Sequence, residues 1–521
     1  MKNNKLHVFL LFLLILANAT AQEVTSIKIN TSEKYQTIDN FGAAGCWYSE
    51  GIGKYWPQEK RERIAELLFS KAFDVSGNPV GIGLSAWRFN IGAGTFEQGD
   101  ASGIWDVNRR VESFLAPDGS YDWTKQEGYQ WFLKQANSYG VERLIAFSNS
   151  APVQFNKNGY GFKTEKDYVA NLKDEHYEDF AEFLATVVAH FNGEGIHFDY
   201  ISPINEPQWD WFGEPGHAKQ EGSPWSNENI SKVAHLLDAK LTERKQDTKI
   251  MLSEAAQLDF LYSGNRDSRQ QIQDLYSKES AINVLNLAHV PDLVVGHSYF
   301  TESSDEQLIE VRQAVKKAGE AHDITFWQSE YSMLGDGYKD GKKGRISAID
   351  CALFLAKVIH FDLTEANAGA WQFWNALEPG NPDFDTRYYL IALQPNETHT
   401  NGDFSVTKNL WAMGHFSRFI RPGMQRIALE TGLDANASAQ ELMASAYLNP
   451  ETNEMVVVAI NYSETAQTLK LDFQAEKYHL YDAYRTSAEE NMNLSKIKNN
   501  EKIRKKVTLP KRSITTFVFK K

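Results

Sequence analysis

Two glutamates carry the strongest chemical signal in this chain of 521 residues. Glu206 sits in Asn205-Glu206-Pro207, directly after the apolar run 198–204, and Glu330 closes Thr325-Phe326-Trp327-Gln328-Ser329. Both read as carboxylates delivered from the ends of β-strands. Two such groups held close together can cleave a glycosidic bond by double displacement, one serving as acid and then base, the other as nucleophile. Aromatic residues follow each, Trp209 and Trp211 after the first and Tyr331 after the second. Such rings offer surfaces on which the C–H face of a pyranose packs. An Asn-Glu-Pro tripeptide alone arises by chance in roughly one chain in twenty of this length. The elements that would hold the pair decide its weight.

Between residues 38 and 376 strand-like runs alternate with helical patterns, the signature of βα units around a parallel sheet. Eight runs qualify: 38–46, 84–91, 143–148, 198–205, 249–254, 293–299, 325–330 and 368–374. Eight is the number that closes a (β/α)8 TIM barrel. Apolar residues recur at three and four in 58–69, 177–191, 227–243 and 305–318, which reads as amphipathic helices between the strands. Long segments follow several strands, 92–121 and 207–224 among them, and in this fold such loops build the active site. After residue 405 the pattern becomes short alternating segments, 441–448, 455–461, 468–473, 478–482 and 513–519, as in an antiparallel β-sandwich. Residues 23–30 also alternate and are expected to pair with it. The expected organisation is an α/β chain: a signal peptide 1–21, a joining strand 22–37, a (β/α)8 barrel 38–404 and a sandwich 405–521.

The composition narrows the partners. A formal net charge of −14 argues against nucleic acid or an anionic membrane, which require a surplus of Lys and Arg. Hydrophobic content of 42% and charged content of 23% fit a soluble globular protein, and 13 Trp with 22 Tyr agree with carbohydrate binding. Lys2 and Lys5, the apolar stretch 8–16, then Ala17, Ala19 and Ala21 form the layout of a secretory signal, with cleavage expected between Ala21 and Gln22. A secreted or periplasmic monomer, free of the membrane after cleavage, follows. Cys46 and Cys351 lie in apolar neighbourhoods and read as buried thiols; a bridge would need a proximity that sequence does not supply. No His/Cys cluster has metal-ligand spacing and no Gly-rich phosphate loop occurs, so no metal or organic cofactor is implied. The basic run 496–506 reads as a solvated hairpin tip.

Laid out in order, these residues resemble family 30 of the glycoside hydrolases. The matching motifs are Phe41-Gly42-Ala43-Ala44, Arg88 with Asn90-Ile91-Gly92, Ser148-Asn149-Ser150 with Pro152, His297-Ser298-Tyr299, Trp374, and the segment from Gly414 to Gly423. The resemblance implies catalytic glutamates at the ends of barrel strands four and seven, where the strand count independently puts Glu206 and Glu330. It makes Glu206 the acid/base and Glu330 the nucleophile, with a carboxylate separation of about 5 to 5.5 Å and net retention. It further implies that Asn205 donates to the sugar's 2-hydroxyl and that Arg88 and Tyr299 hydrogen-bond the nucleophile. His297 is either a structural histidine or a sugar contact. Trp374 is the expected floor at the cleavage point, with Trp47, Trp209 and Trp211 lining neighbouring subsites or buried in the core. Where many members carry Pro-Pro-x-Trp-Met, this chain has Ala151-Pro152-Val153-Gln154-Phe155 and so lacks a ring near the sugar. The stretch 205–211 followed by Gln220-Glu221-Gly222 is similar to the branch acting on β-1,6-galactan, with Ser223 where that branch usually has Cys. The expected activity is endo-β-1,6-galactanase, the alternatives being β-1,4-xylanase or β-1,6-glucanase. A carbohydrate-binding protein without turnover is the competing class, and it would have no need for both glutamates.

Overall fold

The computed structural model describes residues 24–264, 266–474, 476–494 and 506–521. The expected signal peptide and most of the basic run 496–506 lie outside these residues. The first strand, β1 (Val24–Thr37), leads into a parallel barrel of β2 (Asn40–Ala44), β3 (Ala86–Ile91), β4 (Arg143–Ser148), β5 (Tyr200–Ser202), β6 (Lys249–Ile250), β7 (Leu252–Ala255), β8 (Leu293–His297), β9 (Thr325–Tyr331) and β10 (Ala370–Phe373). These pair in the order β6-β5-β4-β3-β2-β10-β9-β8-β7. Only Met251 separates β6 from β7, and its amide still donates to the Ile201 carbonyl at 2.9 Å. The two are therefore halves of one strand, one bonded to β5 and the other to β8, and the eight-stranded barrel closes through the break. Strand four is shorter than its apolar run: Pro203 has no N–H to donate, and Glu206 takes a left-handed φ of 44°.

Alternation sorts the barrel interior into layers. Ala86, Ile145, Met251, Val295, Trp327 and Ala370 form an apolar plug, with Tyr200 against it. Two residues further along the same strands come Arg88, Ser202, His297 and Ser329, so the next layer is polar. Helices Gln58–Phe69, Tyr177–Gly193, Asn227–Glu243 and Asp305–Ala321 surround the barrel. Ser226 and Ser304 cap the last two, each accepting from a backbone amide in the first turn.

After β10 a small sheet of β11 (Leu377–Pro379), β12 (Ile391–Pro395) and β13 (Gly402–Val406) covers one side of the barrel mouth. The expected boundary at 404/405 cuts through β13, because hydrogen bonding to β12 continues past it. The sandwich strands are β14 (Gln425–Glu430), β15 (Leu442–Leu448), β16 (Met455–Asn461), β17 (Gln467–Asp472), β18 (His479–Thr486), β19 (Asn493–Leu494), β20 (Val507–Leu509) and β21 (Ser513–Lys520). They form one folded sheet in the order β19-β18-β21-β16-β15-β14-β1-β17-β20. β1 inserts between β14 and β17, antiparallel to the first and parallel to the second, so the sheet is not purely antiparallel. β15 and β16 are buried along their whole length, because their two faces serve different cores. Met443, Tyr447, Val456 and Val458 face the barrel side, while Ala444, Ala446, Val457 and Ala459 face the sandwich interior. Helix Ala348–Thr364 packs against β10 on one side and against β15, β16 and β21 on the other, which accounts for its near-continuous burial. Among the described residues no helix is long and apolar enough to cross a membrane.

Candidate active site

The polar layer at the C-terminal ends of the strands is a web of charges. Arg88 Nη1 donates to Glu330 Oε2 at 2.8 Å, and its Nη2 lies 3.3 Å from Glu254 Oε1. His297 Nδ1 is 2.9 Å from Glu206 Oε1 and its Nε2 is 3.1 Å from Glu254 Oε2. The Tyr299 hydroxyl donates to Glu330 Oε1 at 3.1 Å. One oxygen of Glu206, one of Glu330 and a ring nitrogen of His297 lie within 4.8 Å of one another. Three ligand atoms this close could hold a cation, but each nitrogen of His297 faces a carboxylate oxygen. A ring that donates from both nitrogens carries a positive charge and has no lone pair for a metal.

Burial and charge set the protonation of these groups. For His297 burial works against the charged ring, yet Glu330, Glu206 and Glu254 overcome it and raise the imidazole to about 10. For Glu254 burial alone would favour the neutral acid, but Arg88, His297 and Ser202 reverse this and hold it at about 2. Glu206 is pushed up, first by burial and then by the charges of Glu330 and Glu254, against the opposing effect of His297. A Glu206 shifted toward its neutral form beside an Arg-bound Glu330 is the asymmetry that an acid and a nucleophile need.

Above this layer opens a cleft of about 660 Å³. Of the residues anticipated from sequence, Asn205, Glu206, Trp209, Trp211, Tyr299, Glu330, Trp47 and Trp374 line it. Trp374 is half-buried and meets the edges of Trp47 and Phe147 at centroid distances of 5.2 and 6.1 Å. Trp209 is braced edge-on by Phe260 at 5.9 Å. The Asn205 side-chain oxygen is buried without a protein partner. Arg88 and His297 lie beneath the cleft rather than in its lining, at 1% and 0% exposure: Arg88 holds Glu330 as expected, His297 takes the structural alternative, and Arg88 Nη1 and Nη2 and both His297 ring nitrogens face carboxylates. Val153, Gln154 and Phe155 do not reach it either; Phe155 stacks on His176 at 4.9 Å.

The sequence reading overlooked two parts of the site. Glu254 carries the same signal as Glu206 and Glu330, a glutamate ending a strand-like run, and could have been singled out with them. Arg109 comes from the long segment after β3 and Glu378 from the short strand β11, where no periodicity marks them. They pair at 3.3 Å, with the guanidinium 4.3 Å from the Trp47 ring. Burial raises Glu378 to about 7, although Arg109 opposes the shift. Trp211 and Gln220 form a further part of the cleft wall. Trp211 donates its indole N–H to the Glu206 carbonyl at 3.1 Å, and Gly222 packs so close that a Cβ there would lie 2.2 Å from the ring.

A family model described as O-Glycosyl hydrolase family 30 matches residues 24–387, and one described as Glycosyl hydrolase family 30 beta sandwich domain matches residues 423–517. The chain belongs to the O-glycosyl hydrolases of family 30. A conserved exported protein from Bacteroides fragilis of known structure is similar to this family 30 chain with a TM-score of 0.87 and 35% identity, over 95% of this chain and 100% of that one. The exo-β-1,6-galactobiohydrolase of Bifidobacterium longum subsp. longum is 21% identical over 310 residues, 55% of this chain and 20% of the relative. The chain thus spans about a fifth of that relative's length. The glucuronoxylanase XynC of Bacillus subtilis (strain 168) is 24% identical over 376 residues, 70% of each chain.

Proposed function

We propose that this protein is a secreted, retaining endo-β-1,6-galactanase in which Glu206 is the acid/base and Glu330 the nucleophile. The observation that carries the chemistry is the approach of the two carboxylates to within 4.8 Å across the cleft. Inverting enzymes keep their carboxyl groups about 6.5 to 9.5 Å apart to leave room for a water, so the close pair favours direct attack by Glu330. In the first step Glu330 forms a bond to the anomeric carbon, the bond to the leaving oxygen breaks, and Glu206 gives that oxygen its proton. Water then attacks the anomeric carbon, losing its proton to Glu206, and the bond from that carbon to Glu330 breaks, returning Glu330 as a carboxylate. Asn205, with its buried acceptor unfilled, suits a sugar hydroxyl.

The substrate reading is supported by the relative named exo-β-1,6-galactobiohydrolase and by the joint wall of Trp211, Gln220 and Gly222, the segments whose sequence resembles the β-1,6-galactan branch. Internal cleavage is supported by a second groove of about 200 Å³ that shares Trp47 and Tyr48 with the cleft and continues past Tyr55, Phe96 and Pro395. A chain that extends beyond the cleavage point could occupy it. Secretion rests on the N-terminal pattern and the exported relative. The test is product analysis on arabinogalactan stripped of arabinose, with β-1,4-xylan and β-1,6-glucan alongside. Galacto-oligosaccharides of several lengths are expected; release from xylan alone would overturn the substrate reading.

A further inference from the structure

Glu254 does not line the cleft, yet it has more polar partners than either catalytic candidate. It is 0% exposed at the end of β7, with a left-handed φ of 53°. Oε1 receives Arg88 Nη2 at 3.3 Å and the Ser202 hydroxyl at 2.5 Å. Oε2 receives His297 Nε2 at 3.1 Å and the Ser329 hydroxyl. Its backbone carbonyl accepts the Glu206 amide at 2.9 Å. Its partners thus come from β3, β5, β8 and β9, and the two cations among them each reach one of the catalytic pair.

We infer that Glu254 is a positioning residue that serves both catalytic glutamates: its fixed charge holds His297 against Glu206 as an imidazolium and Arg88 against Glu330. The inference rests on the reading of Glu206 and Glu330 as the catalytic pair. The charge count supports it. With Glu206 neutral, the anions Glu254 and Glu330 balance the cations Arg88 and His297. Once the glycosyl-enzyme forms, Glu330 is an uncharged ester and Glu206, having given up its proton, is an anion. The layer stays neutral through both halves of the reaction only because Glu254 keeps its charge throughout. In a buried site an uncompensated charge would be costly at either stage. The shifts support the same picture, with Glu254 held at about 2 and His297 at about 10.

Three enzymes test this: wild type, Glu254→Gln, which keeps the shape, and Glu254→Asp, which keeps the charge. On whichever polymer wild type cleaves, Glu254→Gln is expected to lower kcat by up to about 10²-fold while KM changes less than about twofold, because Glu254 does not touch sugar. Glu254→Asp should retain more activity than Glu254→Gln. A residue needed only for packing would give the reverse order. In parallel, 15N NMR of the wild-type ring is expected to find His297 doubly protonated at pH 8, a readout that requires no variant to fold. A neutral ring at pH 7, or a Glu254→Gln enzyme with wild-type kcat, would overturn the inference. An inactive wild type on all three polymers would instead sink the functional reading on which it rests.

Discussion

Glu254 beneath the cleft floor and Glu221 behind the cleft wall are both sealed from solvent, at 0% and 1% exposure, yet their carboxyl groups are shifted in opposite directions. Burial pushes both toward the neutral acid. Around Glu254 stand Arg88 and His297, and the group is held at about 2. Around Glu221 stand neutral donors, the Thr95 hydroxyl at 2.6 Å, the Thr95 amide and the Ala93 amide at 3.2 Å, and burial raises it to about 8. Neutral donors stabilise a carboxylate, but they do not repay the cost of drying it, whereas two cations do. The floor is therefore a place where charge is maintained and a proton can be moved. The wall is a place where a protonated glutamic acid joins two loops. The catalytic candidates belong to the floor.

The largest test of this contrast is Glu330→Gln, which removes the nucleophile while keeping its shape. No turnover is expected in an assay of reducing ends on the cleaved polymer, with the melting temperature near that of wild type; substantial residual turnover would remove Glu330 from its role. Next is Glu206→Gln, which should lower kcat/KM by about 10² to 10⁴ on polymer and by much less on aryl glycosides whose leaving group needs no proton. Equal losses on both would mean Glu206 is not the acid. Trp374→Ala is expected to raise KM about tenfold with kcat little changed, about 1.4 kcal/mol of lost sugar stacking. Inhibition by oligosaccharide products offers an independent check.

The smallest effect sits in the wall and is read as stability. Glu221 has a higher pKa folded than unfolded, about 8 against 4.5. Its contribution is full below about pH 4.5, where both states are protonated, and is lost as pH rises to about 8, where the unfolded chain has released a proton that the folded one retains. Glu221→Gln is neutral throughout. Its melting temperature relative to wild type should therefore climb by a few degrees between pH 5 and 8. A difference that stays flat over that range would mean Glu221 is not held neutral. Glu254 has the opposite sign: its contribution is present above about 4.5 and lost as pH falls toward 2.

Much of this architecture was legible in the sequence because it depends on local periodicity. Strand β4 and helices Gln58–Phe69 and Asn227–Glu243 fall on the expected residues. The strand-end rule singled out Glu206 and Glu330, but it flags Glu254 equally, and only the spatial web distinguishes the hub from the pair. The break at Met251 and the parallel pairing of β1 with β17 arise between segments far apart in the chain, where local pattern is silent. Arg109 and Gln220 lie in long segments between barrel strands and Glu378 on the short β11, and all three are placed by what those segments pack against. Arg88 and His297, singled out from sequence, lie in the web beneath the cleft, and sequence does not tell a side chain that touches sugar from one that holds the residue that does.

Double displacement by Glu206 and Glu330 fixes the anomeric configuration of the first product. Proton NMR during the first minutes of hydrolysis, before mutarotation, should find the β-anomer formed first. The α-anomer appearing first would mean that water attacks the sugar directly, and the account of Glu330 as nucleophile would fail.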